Sequence, residues 1–399
     1  MLEYAELAQP LRDTPQVNTI AASTRLPGLD TLRAFAVLVV MLYHLSIFGE
    51  LPKSLLPVTA YGWMGVDLFF VLSGFLIGQQ VLKPYWQGLR PSIADFYRRR
   101  AYRILPAYFV VLALYVFVPA WREAPQLGPP WKFATFTMNF GFSFSRRAFS
   151  HAWSLCVEEH FYLFLPLLVV WAMRHPSAHK TAALFAAFVL FGIGVRAFLM
   201  THMPESGYWP SIYYPSYTRL DGLITGVALA VVRTFRPTWW HALVQRGHAM
   251  LLTGTALVAL VIWMFRGDSM GSTAGSAFWG TIFGFPLFSW GLGLIVASSV
   301  SDNGLLARVK IPGAQLIATL AFSLYLTHKA VGHLTMQLFP KITVPQGPAS
   351  WLLYAITCLA TALLLHFAVE RPFLRLRDYA IGRKPAAALK TEMRDKPAL

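Results

Sequence analysis

The sequence predicts an all-α protein, a polytopic bundle of about ten transmembrane helices, and three observations predict it. Apolar residues make up 56% of the 399 residues and charged residues only 13%, where soluble domains carry about a quarter charged. Apolar runs recur from residue 34 to residue 370 with short gaps, and about 20 such residues span a hydrocarbon core of about 30 Å. The basic residues gather in alternate short loops, the bias that orients a membrane protein.

Taken in order, the expected spans are roughly 31–49, 62–82, 103–121, 153–173, 181–201, 217–233, 249–265, 277–298, 314–338 and 350–370. With a cytoplasmic N-terminus, 23 of the 34 Lys and Arg fall in inside segments, 7 in outside loops, and 4 (Arg33, Arg196, Arg219, Lys329) within spans. The two strongest inside clusters run from Lys83 to Arg103 and from Arg371 to Lys396. An even span count then puts both termini in the cytoplasm. This divides the chain into a tail, 1–27, a membrane domain, 28–375, and a basic tail, 376–399. The outside segment 122–152 is long enough for a short re-entrant or interfacial helix around Trp131 to Phe140. No internal repeat is visible.

These features also exclude classes. A net charge of +16 would suggest a nucleic-acid partner in a soluble protein; here the cations face the bilayer surface, and none is expected. Cys156 and Cys358 both fall in expected spans, and two thiols make neither a disulfide framework nor a zinc site. Residues 1–27 lack an apolar core, so the first span is the expected insertion signal. There is no Gly-x-Ser-x-Gly elbow, phosphate-binding glycine loop or His-Glu-x-x-His, and no metal is expected.

Ionisable side chains at membrane depth are costly and therefore mark candidate sites. Arg33 and His44 are eleven residues apart in the first span, which places them on one helix face separated by about 16 Å. Alone, the pair also fits an anchoring arginine and a packed histidine. Glu158 and Glu159 begin the fourth span in the segment His151-Ala-Trp153-Ser154-Leu-Cys-Val-Glu158-Glu159. Adjacent helical residues point about 100° apart, so both cannot face one site. A carboxylate at this depth suits orientation of the His44 ring; the pair equally suits a helix N-terminus. Arg100 and Arg103 share a helical face at the inner surface, where their donor forks match phosphate or simply follow the positive-inside bias. Asp67, Asp221, Ser323, Tyr325 and His328 are further polar residues in or beside spans, and Arg219 and Asp221 are close enough to neutralise one another. Glu370-Arg371-Pro372 is expected to terminate the last span.

Together these segments resemble the acyltransferase-3 family. The resemblance runs in order along nearly the whole chain, through Arg33-(ten residues)-His44, the run Gly65-Val66-Asp67 to Ser73-Gly74-Phe75, Arg100-x-x-Arg103-Ile104-x-Pro106, and Trp153-Ser154-Leu155-x-Val157-Glu158-Glu159-x-Phe161-Tyr162. It continues through Asp221-Gly222-Leu223, Ser323-Leu-Tyr325-Leu-x-His328 and Glu370-Arg371-Pro372. His160 stands where glutamine is common in the family.

The resemblance implies about ten spans in the bacterial inner membrane. It implies transfer of an acyl group, by default acetyl, from acyl-CoA to a hydroxyl of an envelope carbohydrate, lipid-linked glycan or small molecule. Arg33 and His44 match the family's essential pair. Some members add a spanning helix and an extracytoplasmic esterase-like domain, and neither is seen in this sequence. The implied division of labour puts the phosphates of acyl-CoA on Arg100 and Arg103, with Arg33 beside them. His44 is the general base, or itself the acyl carrier; Glu158 or Glu159 orients His44 or holds the acceptor. Asp67, Trp153, Ser154, Tyr325 and His328 are the acceptor-binding candidates, and the acceptor enters from outside. The rival reading is a secondary transporter or glycan exporter, which also has about ten helices and buried charge but typically shows repeat symmetry.

Overall fold

The computed structural model describes residues 26–47, 51, 53–141, 147–204, 207–266, 275–344 and 347–381. All ten expected spans coincide with helices: α1 Pro27–Ile47, α2 Met64–Trp86, α3 Ile93–Phe117, α4 Trp153–Arg174, α5 Ala178–His202, α6 Asp221–Phe235, α7 Gly247–Met264, α8 Phe285–Ser299, α9 Ala314–Leu338 and α10 Pro348–Leu365. The expected tails lie almost wholly outside the described residues. Among the described residues, eight helical segments are long and apolar enough to cross a membrane. The two remaining have physical reasons to fall short. Helix α6 has 15 residues, about 22 Å of rise. Helix α9 has 25 but carries Ser323, Thr327, His328 and Lys329, all buried; it is an interior helix, packed chiefly on α1 and α10, so its polar residues face protein.

Local chemistry starts these helices. Ser92 and Ser177 accept hydrogen bonds from the backbone N–H of Asp95 and Lys180, capping α3 and α5. Helix α1 begins at Pro27 with Asp30 in its first turn, both suited to a helix N-terminus.

Among the described helices the most extensive contact is α2 on α6. Each contributes a small-xxx-small pair, Gly74 with Gly78 and Gly222 with Gly226. A Cβ on Gly74 would lie 2.0 Å from the Leu223 carbonyl oxygen, and one on Gly226 2.2 Å from that of Val71. Lipid tails provide no hydrophobic drive between helices, so such close backbone approach is what holds them. The Gly254–Gly291 contact joins α7 and α8 in the same way.

Two expectations are corrected here. The helix around Trp131 to Phe140 is only Pro130–Ala134, and Phe136, with φ 56°, turns the chain out of it. The last span does not end at Glu370-Arg371-Pro372. It widens into a π turn over His366–Glu370 and continues as α11, Arg371–Ala380. Pro372 lies in the first turn of α11, where a missing N–H costs little. The π turn faces buried Glu370 inward, where it accepts from Ser323 Oγ of α9 and pairs with His366 Nδ1 at 2.9 Å. Both cysteines are buried free thiols, as the sequence suggested.

Candidate functional site

A cavity of about 280 Å³ opens at the end of the bundle where α1 terminates. Trp63, Trp153, Trp209, Tyr213 and Tyr214 form an aromatic wall; His44, Glu123, Arg147, Ser150, His151, Tyr325 and Lys329 supply the polar side. Apolar walls with a few convergent polar groups are the usual composition of a ligand site.

The segment before α4 sets one corner. Phe149 adopts a left-handed backbone, φ 57°, uncommon for a bulky residue. Its ring is stacked between Tyr115, at 4.4 Å, and Phe133, at 5.6 Å, and this packing sustains the turn. The following 3-10 turn, Ser150–Ala152, presents His151 to α9. Tyr325 Oη donates to the His151 carbonyl at 2.8 Å and lies 2.6 Å from Ser154 Oγ. Tyr325 and Ser154 thus anchor the turn, although Tyr325 also lines the cavity.

Three histidines meet here. His328 Nε2 is 2.9 Å from His44 Nδ1, and His328 Nδ1 lies 3.1 and 2.9 Å from the carbonyl oxygens of Leu324 and Tyr325. Carbonyls only accept, so the hydrogen-bond network assigns the His328 proton to Nδ1. Its Nε2 is then the acceptor, and His44 must donate from Nδ1. In the neutral pair the His44 Nε2 lone pair is left for the cavity. His151 Nε2 donates to the Leu326 carbonyl at 3.3 Å, while its buried Nδ1 has no hydrogen-bond partner among the described residues. These nitrogens bond to one another and to carbonyls rather than converging on one point.

Lys329 also reaches the cavity. Its Nζ lies 3.0 Å from Glu123 Oε1 and donates to Ser150 Oγ at 2.8 Å. Glu123 Oε1 further accepts from the Phe149 N–H at 3.0 Å, and among the described residues buried Glu123 Oε2 has no hydrogen-bond partner.

A second polar cluster lies towards the other end of α1. Arg33, Arg100 and Arg103 interact electrostatically. Arg100 lies over the Tyr162 ring at 5.3 Å and donates to Gln80 Oε1 at 3.4 Å. Glu158 Oε1 accepts from Ser73 Oγ at 2.6 Å, and Tyr162 Oη donates to the same hydroxyl oxygen at 3.0 Å. Glu159 follows Glu158 on α4.

The structure therefore places the expected residues in two groups. His44, Trp153 and Tyr325 line the cavity, with His328 and Ser154 bonded directly behind them; Arg33, Arg100, Arg103, Glu158 and Glu159 gather at the second cluster. The expectation that Glu158 or Glu159 orients His44 is corrected: among the described residues His44 is held by His328, and Glu158 is bonded to Ser73. Asp67 is not free for an acceptor. Both its oxygens accept from Arg219 Nη2, at 2.9 and 3.0 Å, with both residues buried. Arg219 lies 4.1, 4.7 and 5.5 Å from the ring centres of Phe285, Tyr213 and Trp153, behind the aromatic wall. Asp221 pairs with Arg196 at 2.7 Å, so Arg219 and Asp221 are neutralised across helices, not by each other.

Sequence reasoning missed His151, Lys329 and Glu123 as site residues. Lys329 carried a signal, a cation at membrane depth. Glu123 carried none, because a carboxylate in a loop is ordinary. His160, the departure from the family pattern, bonds Ser216 Oγ at 2.7 Å and stacks on Phe140, tying α4 to the segment that bears Tyr213 and Tyr214.

A helical bundle with membrane-length segments enclosing a cavity lined by histidines and aromatic rings defines a multi-pass membrane protein with a candidate ligand site. The chain belongs to the acyltransferase-3 family: the family model, described as an acyltransferase domain, matches residues 26–367. It is 25% identical over 383 residues to the O-acetyltransferase OatA of Staphylococcus aureus, covering 90% of this chain and 59% of that protein. It is 34% identical over 222 residues to YrhL of Bacillus subtilis, named as a peptidoglycan O-acetyltransferase, covering 52% of this chain and 33% of the relative. The chain thus spans less than two thirds of the length of these relatives. No solved structure matches it.

Proposed function

We propose that this chain is an inner-membrane O-acyltransferase that moves an acetyl group from cytoplasmic acetyl-CoA to a hydroxyl of a cell-envelope carbohydrate, with His44 as general base. One observation carries the reading. The hydrogen-bond chain from the Leu324 and Tyr325 carbonyls through His328 leaves His44 Nε2 as an acceptor at an aromatic-lined cavity. An imidazole oriented through its other nitrogen is the recurring form of a general base. The aromatic wall suits the apolar faces of a sugar, and the names of the relatives support an acetyl donor and a glycan acceptor.

The arginine cluster supplies the donor end. CoA is a polyanion, and Arg forks bind phosphate by charge-assisted hydrogen bonds. Arg33 and His44 are separated by about 16 Å along α1, a gap for the thin pantetheine arm to bridge. In this arrangement both termini are cytoplasmic, acetyl-CoA enters at the arginines, and the acceptor enters at the cavity mouth.

The reading is tested by expressing the full chain in cells and measuring base-labile acetyl esters on isolated envelope glycans by mass spectrometry. An increase over cells carrying the empty vector is expected; equal ester content would sink it. The donor site makes its own prediction. Arg100→Ala combined with Arg103→Ala should weaken acetyl-CoA binding at least tenfold, because a hydrogen bond to a charged group contributes about 1.5–3 kcal/mol and about 1.4 kcal/mol is tenfold. Calorimetry on the chain in lipid nanodiscs checks this, and unchanged affinity would place the cofactor elsewhere.

A further inference from the structure

The base activates the attacking oxygen, but acyl transfer also develops negative charge on the carbonyl oxygen of the donor. Nothing in the pairing of His44 with His328 answers that charge. Lys329 is placed to do so. It follows His328 on α9, so the two side chains diverge by about 100°, His328 onto His44 and Lys329 along the cavity wall. An ammonium has three donors. Two are engaged, by Glu123 Oε1 at 3.0 Å and Ser150 Oγ at 2.8 Å, and among the described residues the third has no protein partner. Those two contacts fix the long side chain; it is 10% exposed and lines the same cavity as His44 and His151. Glu123 is itself held by the Phe149 N–H, so the ammonium is positioned before any ligand arrives. Preorganised donors aimed at developing charge in a dry site are typically the largest catalytic term.

We propose that Lys329 is a catalytic residue that stabilises the oxyanion of the tetrahedral intermediate, and that Glu123 and Ser150 are its positioning residues. The proposal rests on the acyl-transfer reading above. His44 Nε2 takes the proton of the acceptor hydroxyl as the oxygen forms a bond to the thioester carbonyl carbon. The carbonyl π pair moves onto its oxygen, which accepts the third N–H of Lys329. Collapse re-forms the C=O bond, breaks the C–S bond, and the departing thiolate takes the proton from His44. The catalyst is returned unchanged.

The alternative is that Lys329 is half of a structural ion pair, and the test separates the two. Lys329→Met alone strands the Glu123 carboxylate, so the deciding variant is Glu123→Gln with Lys329→Met, which removes both charges together. The full chain in lipid nanodiscs is given acetyl-CoA and chitopentaose, and CoA thiol release is measured, which counts transfer to sugar and to water alike. The double variant is expected to lose at least about 100-fold in maximal rate, the scale of one lost oxyanion donor, with the KM for acetyl-CoA within threefold of the parent. A double variant within threefold of the parent rate would overturn the proposal, as would a loss that appears as raised KM at unchanged maximal rate. A parent chain no faster than His44→Ala would instead overturn the acyl-transfer reading, and this proposal with it.

Discussion

Replacing His44 by alanine is expected to lower acyl transfer by about 10³-fold or more while leaving the helical bundle intact. General-base catalysis alone contributes about 10²–10⁴-fold, and no other described imidazole can substitute. His328 is bonded through both nitrogens, and the unprotonated Nδ1 of His151 is buried away from the cavity space. His44 is only half-buried at the last turn of α1, so its loss leaves a small void rather than a stranded charge. His328→Phe should give a smaller loss, because the base remains but the proton of its Nδ1 is no longer held in place. Acetyl-ester formation by each variant, beside its helical circular dichroism, checks both statements. Activity of His44→Ala near the parent level would remove this ring from the chemistry.

The second large effect concerns the fold behind the cavity. Arg219→Ala is expected to destabilise the bundle by about 3–5 kcal/mol, the cost of leaving one partner of a buried ion pair without compensation. Asp67 would then be a buried carboxylate whose two hydrogen bonds from Arg219 are gone. The wall formed by Tyr213 and Trp153 would lose the guanidinium beneath it. The paired change Asp67→Asn with Arg219→Gln removes both charges at similar volume and should recover much of the stability. Thermal unfolding in nanodiscs separates the cases. Equal melting temperatures for Arg219→Ala and the paired variant would show that charge compensation is not what holds α2 to the segment before α6.

How much of this was legible beforehand differs by residue, and for physical reasons. The helices were legible because crossing a bilayer demands a long apolar run, a property of each segment by itself. Even there, α9 was read as an ordinary span, although its polar face shows it to be an interior helix. His44 and Arg33 were legible as a pair because the helix repeat alone sets their separation. The partner of His44 was not. Glu158 was as good a chemical choice as His328, since nothing local to either segment says which way α4 or α9 is rotated. Ser323 and Glu370 illustrate the same limit: the π turn that brings them together cannot be seen in the run of apolar residues around it.

The sequence by itself determined that this protein lives in a membrane, which segments become helices, and which ionisable groups must be sheltered. These follow from transfer free energies and backbone hydrogen bonding within each segment. Only the tertiary structure decided that Asp67 is engaged by Arg219, that Glu158 belongs with Ser73, that His44, His151 and Lys329 line one cavity, and that His328 holds His44 there. Those pairings depend on how far each helix is turned about its axis. That rotation is set by close glycine contacts between helices distant in sequence, such as Gly74 on Leu223 and Gly226 on Val71.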